Sequence, residues 1–257
     1  MPQVESHLGT FVWRDLVTPD DDGARSFYAG MFGWTFEAMP IPHGGSYWIA
    51  SAGGREIGGI MRTPPGSPAP PSWTSYASVA DVDATCRTAA DGGGRVLVPP
   101  TDIPRGGRFA VVQDPEGAVL GVLRAGSGRA PPPGRPQAGM FCWETLSARD
   151  PAKAKAFYPA LLGWSETRPP GGDVTVFAAR GGAQVADLQV ARAGPPSWLT
   201  YVDVSSVVAS RSRAAALGGK VVVPLVEVPK VGSIALVADP KGALLGLFQP
   251  DLEHRRD

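Results

Sequence analysis

The chain has 257 residues, 24 Lys plus Arg against 24 Asp plus Glu, and 43% hydrophobic residues. That length suits two domains that each bury their own core. The balanced charge offers no field for nucleic acid or an anionic membrane surface, and no apolar run is long enough to span a bilayer.

The first strand-like run is Thr10–Val17, followed by Asp20, Asp21 and Asp22 as helix-starting carboxylates. Ala24, Phe27, Tyr28 and Met31 form the apolar stripe of a helix that Gly33 stops. Strands are predicted at Trp34–Ala38, Tyr47–Ser51 and Ile57–Arg62, separated by Gly- and Pro-rich turns. The plan then repeats, with a strand at Ser75–Val79, a helix at Val82–Ala90, and strands at Arg95–Val98, Arg108–Val112 and Val119–Leu123. The glycines Gly92–Gly94 follow this helix, so they end it and are not a phosphate-binding loop.

The second half of the chain restates the first. Phe27-Tyr28 and Gly33-Trp34 return as Phe157-Tyr158 and Gly163-Trp164. Pro71-Ser72-Trp73 returns as Pro196-Ser197-Trp198, and Asp114-Pro115 with Gly117-Ala118 as Asp239-Pro240 with Gly242-Ala243. A repeat of this length is architectural. Helices are therefore expected near Ala152–Leu162 and Val207–Leu217, giving four βαβββ modules in an α+β fold. The first copy is the longer, with the extra residues placed around Pro40–Ser46. The expected domains are 1–124 and 139–257, joined by the Gly/Pro-rich linker 125–138. One module exposes an apolar sheet face and an edge, so two are expected to close around a concave site.

The pattern of an Asp, then FY, then FGW or LGW, with DPxGA before the final strand, resembles the vicinal oxygen chelate superfamily of glyoxalases, extradiol dioxygenases and bleomycin resistance proteins. It is similar to a tandem two-domain actinobacterial subgroup called glyoxalase-like or hydroxylase. The resemblance implies two domains with cup-shaped curved sheets. It also implies, in metal-dependent members, a His or Gln on first strands and a Glu on last strands. In this sequence those positions are Trp13, Trp143, Thr74 and Leu199, and Gly121 and Gly246. None offers a side chain that ligates a divalent cation. His7 and His254 are terminal and His43 lies in the longer loop, so no metal and no cofactor is expected.

Strand alternation gives Trp13, Asp15 and Val17 one face and Leu16 the other. Trp143, Thr145 and Ser147 follow in the second copy. Either Tyr47 or Trp48 adds a further ring in the first copy. Trp13, Asp15, Tyr47, Trp48, Trp143 and Thr145 are therefore the candidate ligand-binding residues. Indoles stack on flat ligands, and Asp15 is the candidate acid/base. Trp34, Trp73, Trp164 and Trp198 recur at junctions in both copies and read as packing anchors. Asp15 is the acid that this alternation places inside, so binding is expected to favour the first domain.

Three functions compete. The first is a metal-independent protein that binds a planar aromatic metabolite, an antibiotic or polyketide, in sequestration, resistance or as an accessory to a biosynthetic enzyme. The second is a metal-free enzyme, a cyclase, isomerase or hydroxylase type, using Asp15. The third is a signalling protein with vestigial cups. The segment MPQVESHLGT lacks the features of a secretory leader, and Cys86 and Cys142 have no disulfide or metal spacing. A cytoplasmic location, a small aromatic ligand and no nucleic-acid or membrane partner are the corresponding expectations.

Overall fold

The structure is a computed structural model and describes residues 7–41, 45–103, 107–126, 136–168 and 174–251. The first copy runs β1 (Phe11–Thr18), α1 (Asp21–Phe32), β2 (Thr35–Pro40), β3 (Ser46–Ala52), β4 (Arg55–Arg62), β5 (Ser72–Ser78), α2 (Val82–Asp91), β6 (Arg95–Ile103), β7 (Gly107–Gln113) and β8 (Val119–Arg124). The second runs β9 (Phe141–Ala148), α3 (Pro151–Leu162), β10 (Ser165–Thr167), β11 (Thr175–Ala178), β12 (Gln184–Val190), β13 (Ser197–Asp203), α4 (Val207–Ala216), β14 (Lys220–Val228), β15 (Gly232–Ala238) and β16 (Leu244–Pro250). This is the α+β plan of four βαβββ modules. No helix among the described residues is long and apolar enough to cross a membrane.

Each copy contributes one eight-stranded mixed sheet, in the orders β2-β3-β4-β1-β5-β8-β7-β6 and β10-β11-β12-β9-β13-β16-β15-β14. First and fourth strands of a module pair in parallel, as Asp15 with Gly59 and Thr145 with Asp187. The outer strands pair antiparallel. The sheets are not closed, which corrects the expected closure: β2 and β6 are edges of the first and β10 and β14 of the second. The sixth strand also runs beyond its predicted end at Val98, through Pro99 and Pro100 to Ile103. Register shifts let β6 carry these prolines at a sheet edge, where a missing N–H costs no ladder bond.

The helix ends follow the local chemistry. Asp20 Oδ1 accepts from Gly23 N at 2.9 Å, and Gly33 closes α1 at φ 71°. Asp150 caps α3, Pro151 sits in its first turn, and Gly163 closes it at φ 69°.

Packing groups the chain into two compact units, each taking a module from either copy. One comprises Met1–Trp13, Thr74–Pro133 and Glu144–Trp198; the other comprises Arg14–Trp73, Gly134–Trp143 and Leu199–Asp257. The first unit packs α2 and α3 over a core that includes Cys86, Leu120, Leu146, Phe157 and Phe177. The second packs α1 and α4 over Leu16, Phe27, Ile60, Val202 and Leu247. Most of linker 125–138, residues 127–135, lies outside the described residues.

The repeated motifs meet inside these cores. In the second unit Trp73 Nε1 donates to the Tyr28 hydroxyl at 2.9 Å, and that hydroxyl donates to Asp239 Oδ2 at 3.2 Å. In the first, Trp198 donates to Tyr158 at 3.0 Å and Tyr158 to Asp114 Oδ2 at 2.9 Å. The other carboxylate oxygen ties the DPxGA turn, Asp114 Oδ1 accepting from the N–H groups of Glu116, Gly117 and Ala118. Trp34 and Trp164 donate to the carbonyls of Gly139 and Gly9 at 2.6 and 2.7 Å. All four junction tryptophans are thus structural.

Candidate ligand-binding site

Leu16 is fully buried against α1, so its alternating neighbours Asp15 and Val17 lie on the sheet face away from the helix. Tyr47 shares that face. Its hydroxyl donates to Asp15 Oδ1 at 2.6 Å, a charge-assisted geometry that fixes the carboxyl orientation. Gly59, opposite Asp15 on β4, makes this possible: a Cβ there would stand 2.0 Å from the Tyr47 hydroxyl.

Trp48 points the other way. Its indole N–H donates to Asp21 Oδ2 at 3.0 Å, and the Arg25 guanidinium lies 3.5 Å above its ring. Tyr47 is therefore the ring on the Asp15 face, and Trp48 serves the helix face. Burial pushes the Asp21 carboxyl upward, but hydrogen bonds from Arg62 and Trp48 outweigh it and hold the group below the usual carboxylate range. Trp13 is half-buried at the start of the Asp15 face of β1.

In the second copy, Leu146 and Ala148 pack in the core, which gives Trp143 and Thr145 the opposite face of β9. Thr145 is not alone there. Its hydroxyl donates to Asp187 Oδ1 at 2.5 Å, and Gln189 Nε2 donates to Asp187 Oδ2 at 2.8 Å. Asp187 occupies on β12 the place that Gly59 holds on β4. The expectation that the first copy alone carries an acid on this face is thereby corrected: the second has one too, on the neighbouring strand. Alternation along β9 could not reveal it, because the register of β12 decides which residue stands opposite Thr145. The register also places Val176 opposite Asp187, as Ile49 is opposite Gly59, so Thr175 stands at the place of Trp48 and Val174 at that of Tyr47. Sequence reading also missed Glu144, fully buried on the helix side, where it accepts from Ser75 Oγ at 2.9 Å.

The remaining positions test whether a metal ion fits. At Gly121, a Cβ would lie 2.2 Å from the Tyr76 ring, and at Gly246, 2.1 Å from the Tyr201 ring. Tyrosine rings therefore fill the space where a last-strand carboxylate would start. Among the described residues no group of three or more His, Cys, Asp or Glu is arranged to hold a metal. His43 and His254 lie outside those residues. The residues present do not fit a divalent cation at these positions.

Residues 7–122 match the profile of the Glyoxalase/Bleomycin resistance protein/Dioxygenase superfamily. CFP32 of Mycobacterium tuberculosis, whose glyoxylase label is provisional, is 34% identical over 254 residues, covering 96% of this chain and 97% of its own. The chain belongs to this superfamily. Within it, the anthracycline biosynthesis protein DnrV of Streptomyces peucetius is 34% identical over 259 residues, with 91% of each chain covered. The fold is shared with solved superfamily structures. A Mn(II)-bound glyoxalase from Novosphingobium aromaticivorans superposes with a TM-score of 0.62 at 15% identity, over 95% of this chain and 82% of the other. A trihydroxybiphenyl dioxygenase from Sphingomonas wittichii gives 0.63 at 14%, over 96% and 93%.

Proposed function

We propose that this chain is a metal-independent binding protein for a planar aromatic metabolite of the antibiotic or polyketide class, acting in secondary metabolism. In that role it sequesters the compound or presents it to a biosynthetic enzyme. The observation that carries the reading is the replacement at the superfamily's ligand positions. Indole, threonine, leucine and glycine stand there, with the Tyr76 and Tyr201 rings filling the space at the two glycines, while Asp15 on β1 is a carboxylate set by the phenol of Tyr47. Indoles and phenols suit flat ligands, and a carboxylate accepts a hydroxyl or amine. The 34% identity to an anthracycline biosynthesis protein over 91% of the chain supports the same class of compound. Calorimetric titration of chelator-treated protein with an anthracycline tests it, and absence of binding below about millimolar concentration removes its support.

One observation favours a second reading. A carboxylate oriented by a phenol at 2.6 Å is the arrangement of a general base, and Asp15 could serve a metal-free cyclase, isomerase or hydroxylase-type reaction in this way. Asp15→Asn separates the two: a binder loses affinity, whereas an enzyme loses turnover with substrate affinity largely kept.

A further inference from the structure

The two copies treat their acids in two different ways. Asp114 and Asp239 stand at matching places, accept from matching tyrosines, and tie matching turns. That is how a structural acid behaves in a repeat. The acids on the faces away from the helices do not match. The first copy has Asp15 on β1 opposite Gly59 on β4; the second has Thr145 on β9 opposite Asp187 on β12. Each of these two matched residue pairs keeps one carboxylate, on opposite members of the pair, with a different hydroxyl donor.

Resting on the binding function proposed above, we infer that Asp187, Thr145 and Gln189 form a second ligand site, which takes a hydrogen-bond-donating group of an aromatic metabolite: a hydroxyl, phenol or ammonium. Ala186 and Leu188 belong to the core beneath α3, so Asp187 and Gln189 lie on the other face of β12. Asp187 is 8% exposed, and holding a carboxylate there carries a desolvation cost that packing on the core side does not require. Thr145 and Gln189 each donate to one of its oxygens and so orient it. A carboxylate presents only acceptors, which makes the recognised group a donor. The different orienting partners, a threonine and an amide in place of a phenol, set this site to a different group or pose from that at Asp15.

The test is stoichiometry, by native mass spectrometry and calorimetry on the full chain, with an aminoglycosyl anthracycline and an uncharged dihydroxyanthraquinone as probes. The wild-type chain is expected to bind two molecules of at least one probe. Asp187→Asn should weaken one of these about tenfold or more, and Asp15→Asn the other, as loss of a charged hydrogen bond predicts. Gln189→Ala, at an exposed position, should weaken the same event as Asp187→Asn, and it decides the matter if Asp187→Asn fails to fold. One molecule per chain, sensitive to Asp15→Asn and indifferent to both β12 variants, overturns the second site and leaves the proposed function standing. No binding of either probe overturns both.

Discussion

The phenol of Tyr28 donates to the carboxylate of Asp239, 211 residues further along the chain. Both are buried, and the same phenol accepts from Trp73. The FY, PSW and DPxGA motifs are therefore three parts of one relay, and each relay joins the two copies of the repeat. Tyr28→Phe leaves Asp239 and Trp73 short of a partner in a closed core. The expected loss is about 1–3 kcal/mol, read as a fall of several degrees in the thermal midpoint. Tyr158→Phe should cost a similar amount through Asp114 and Trp198.

The same relay ties stability to alkaline pH. Burial first, and then the charge of Asp239 or Asp114, raises the Tyr28 and Tyr158 hydroxyls well above the ordinary value of 10.0. In the native state these phenols keep protons that the unfolded chain releases. Their contribution is thus full below pH 10 and is lost as pH rises above it. Denaturant midpoints followed upward through pH 10 should fall, and should fall less steeply in the double Phe variant.

At the acid end the sign reverses. Arg108 holds the Asp83 carboxyl below the usual range, and Arg62 with Trp48 does the same for Asp21 against its burial. The stability these pairs supply is present above 3.8, the ordinary value, and is lost as pH falls through the lower native values. Asp21→Asn should flatten the decline between about pH 4 and pH 2 in a thermal-shift series.

Gly59 is the most informative single substitution. A methyl group there meets the far end of Tyr47, which can swing aside, so Gly59→Ala should change stability by less than about 1 kcal/mol. It should nevertheless separate Tyr47 from Asp15 and weaken ligand binding as much as Tyr47→Phe does. Gly121→Ala and Gly246→Ala meet the inner edges of the Tyr76 and Tyr201 rings instead, and should destabilise by about 1–3 kcal/mol. A crystal structure of Gly59→Ala with the Tyr47–Asp15 bond intact would contradict this account.

Much of the fold was legible because the chain states it twice. The Asp20 cap, the Gly33 stop and the apolar stripe of Phe27 and Tyr28 act locally, so they show in sequence. Alternation around Leu16 likewise agrees with the burial of β1, and the buried Leu146 extends the pattern to β9. Asp187 escaped because its role depends on which residue faces Thr145 across a strand pair, a register that no single strand encodes. Trp48 was ambiguous for a similar reason. Two adjacent aromatic residues on one strand must face opposite ways, and it was Asp21 and Arg25 on α1 that claimed the indole.

The central claim, ligand binding without a metal, rests on one comparison. Chelator-treated protein is titrated calorimetrically with an aminoglycosyl anthracycline, in wild type, Trp13→Ala and Asp15→Asn, with and without added manganese. The account predicts sub-millimolar binding that is unchanged by manganese. Loss of the Trp13 ring should weaken it by about 0.5–1.5 kcal/mol beyond the lost burial, and loss of the Asp15 charge by about tenfold. Binding or turnover that appears only with manganese, or binding indifferent to both substitutions, would contradict it.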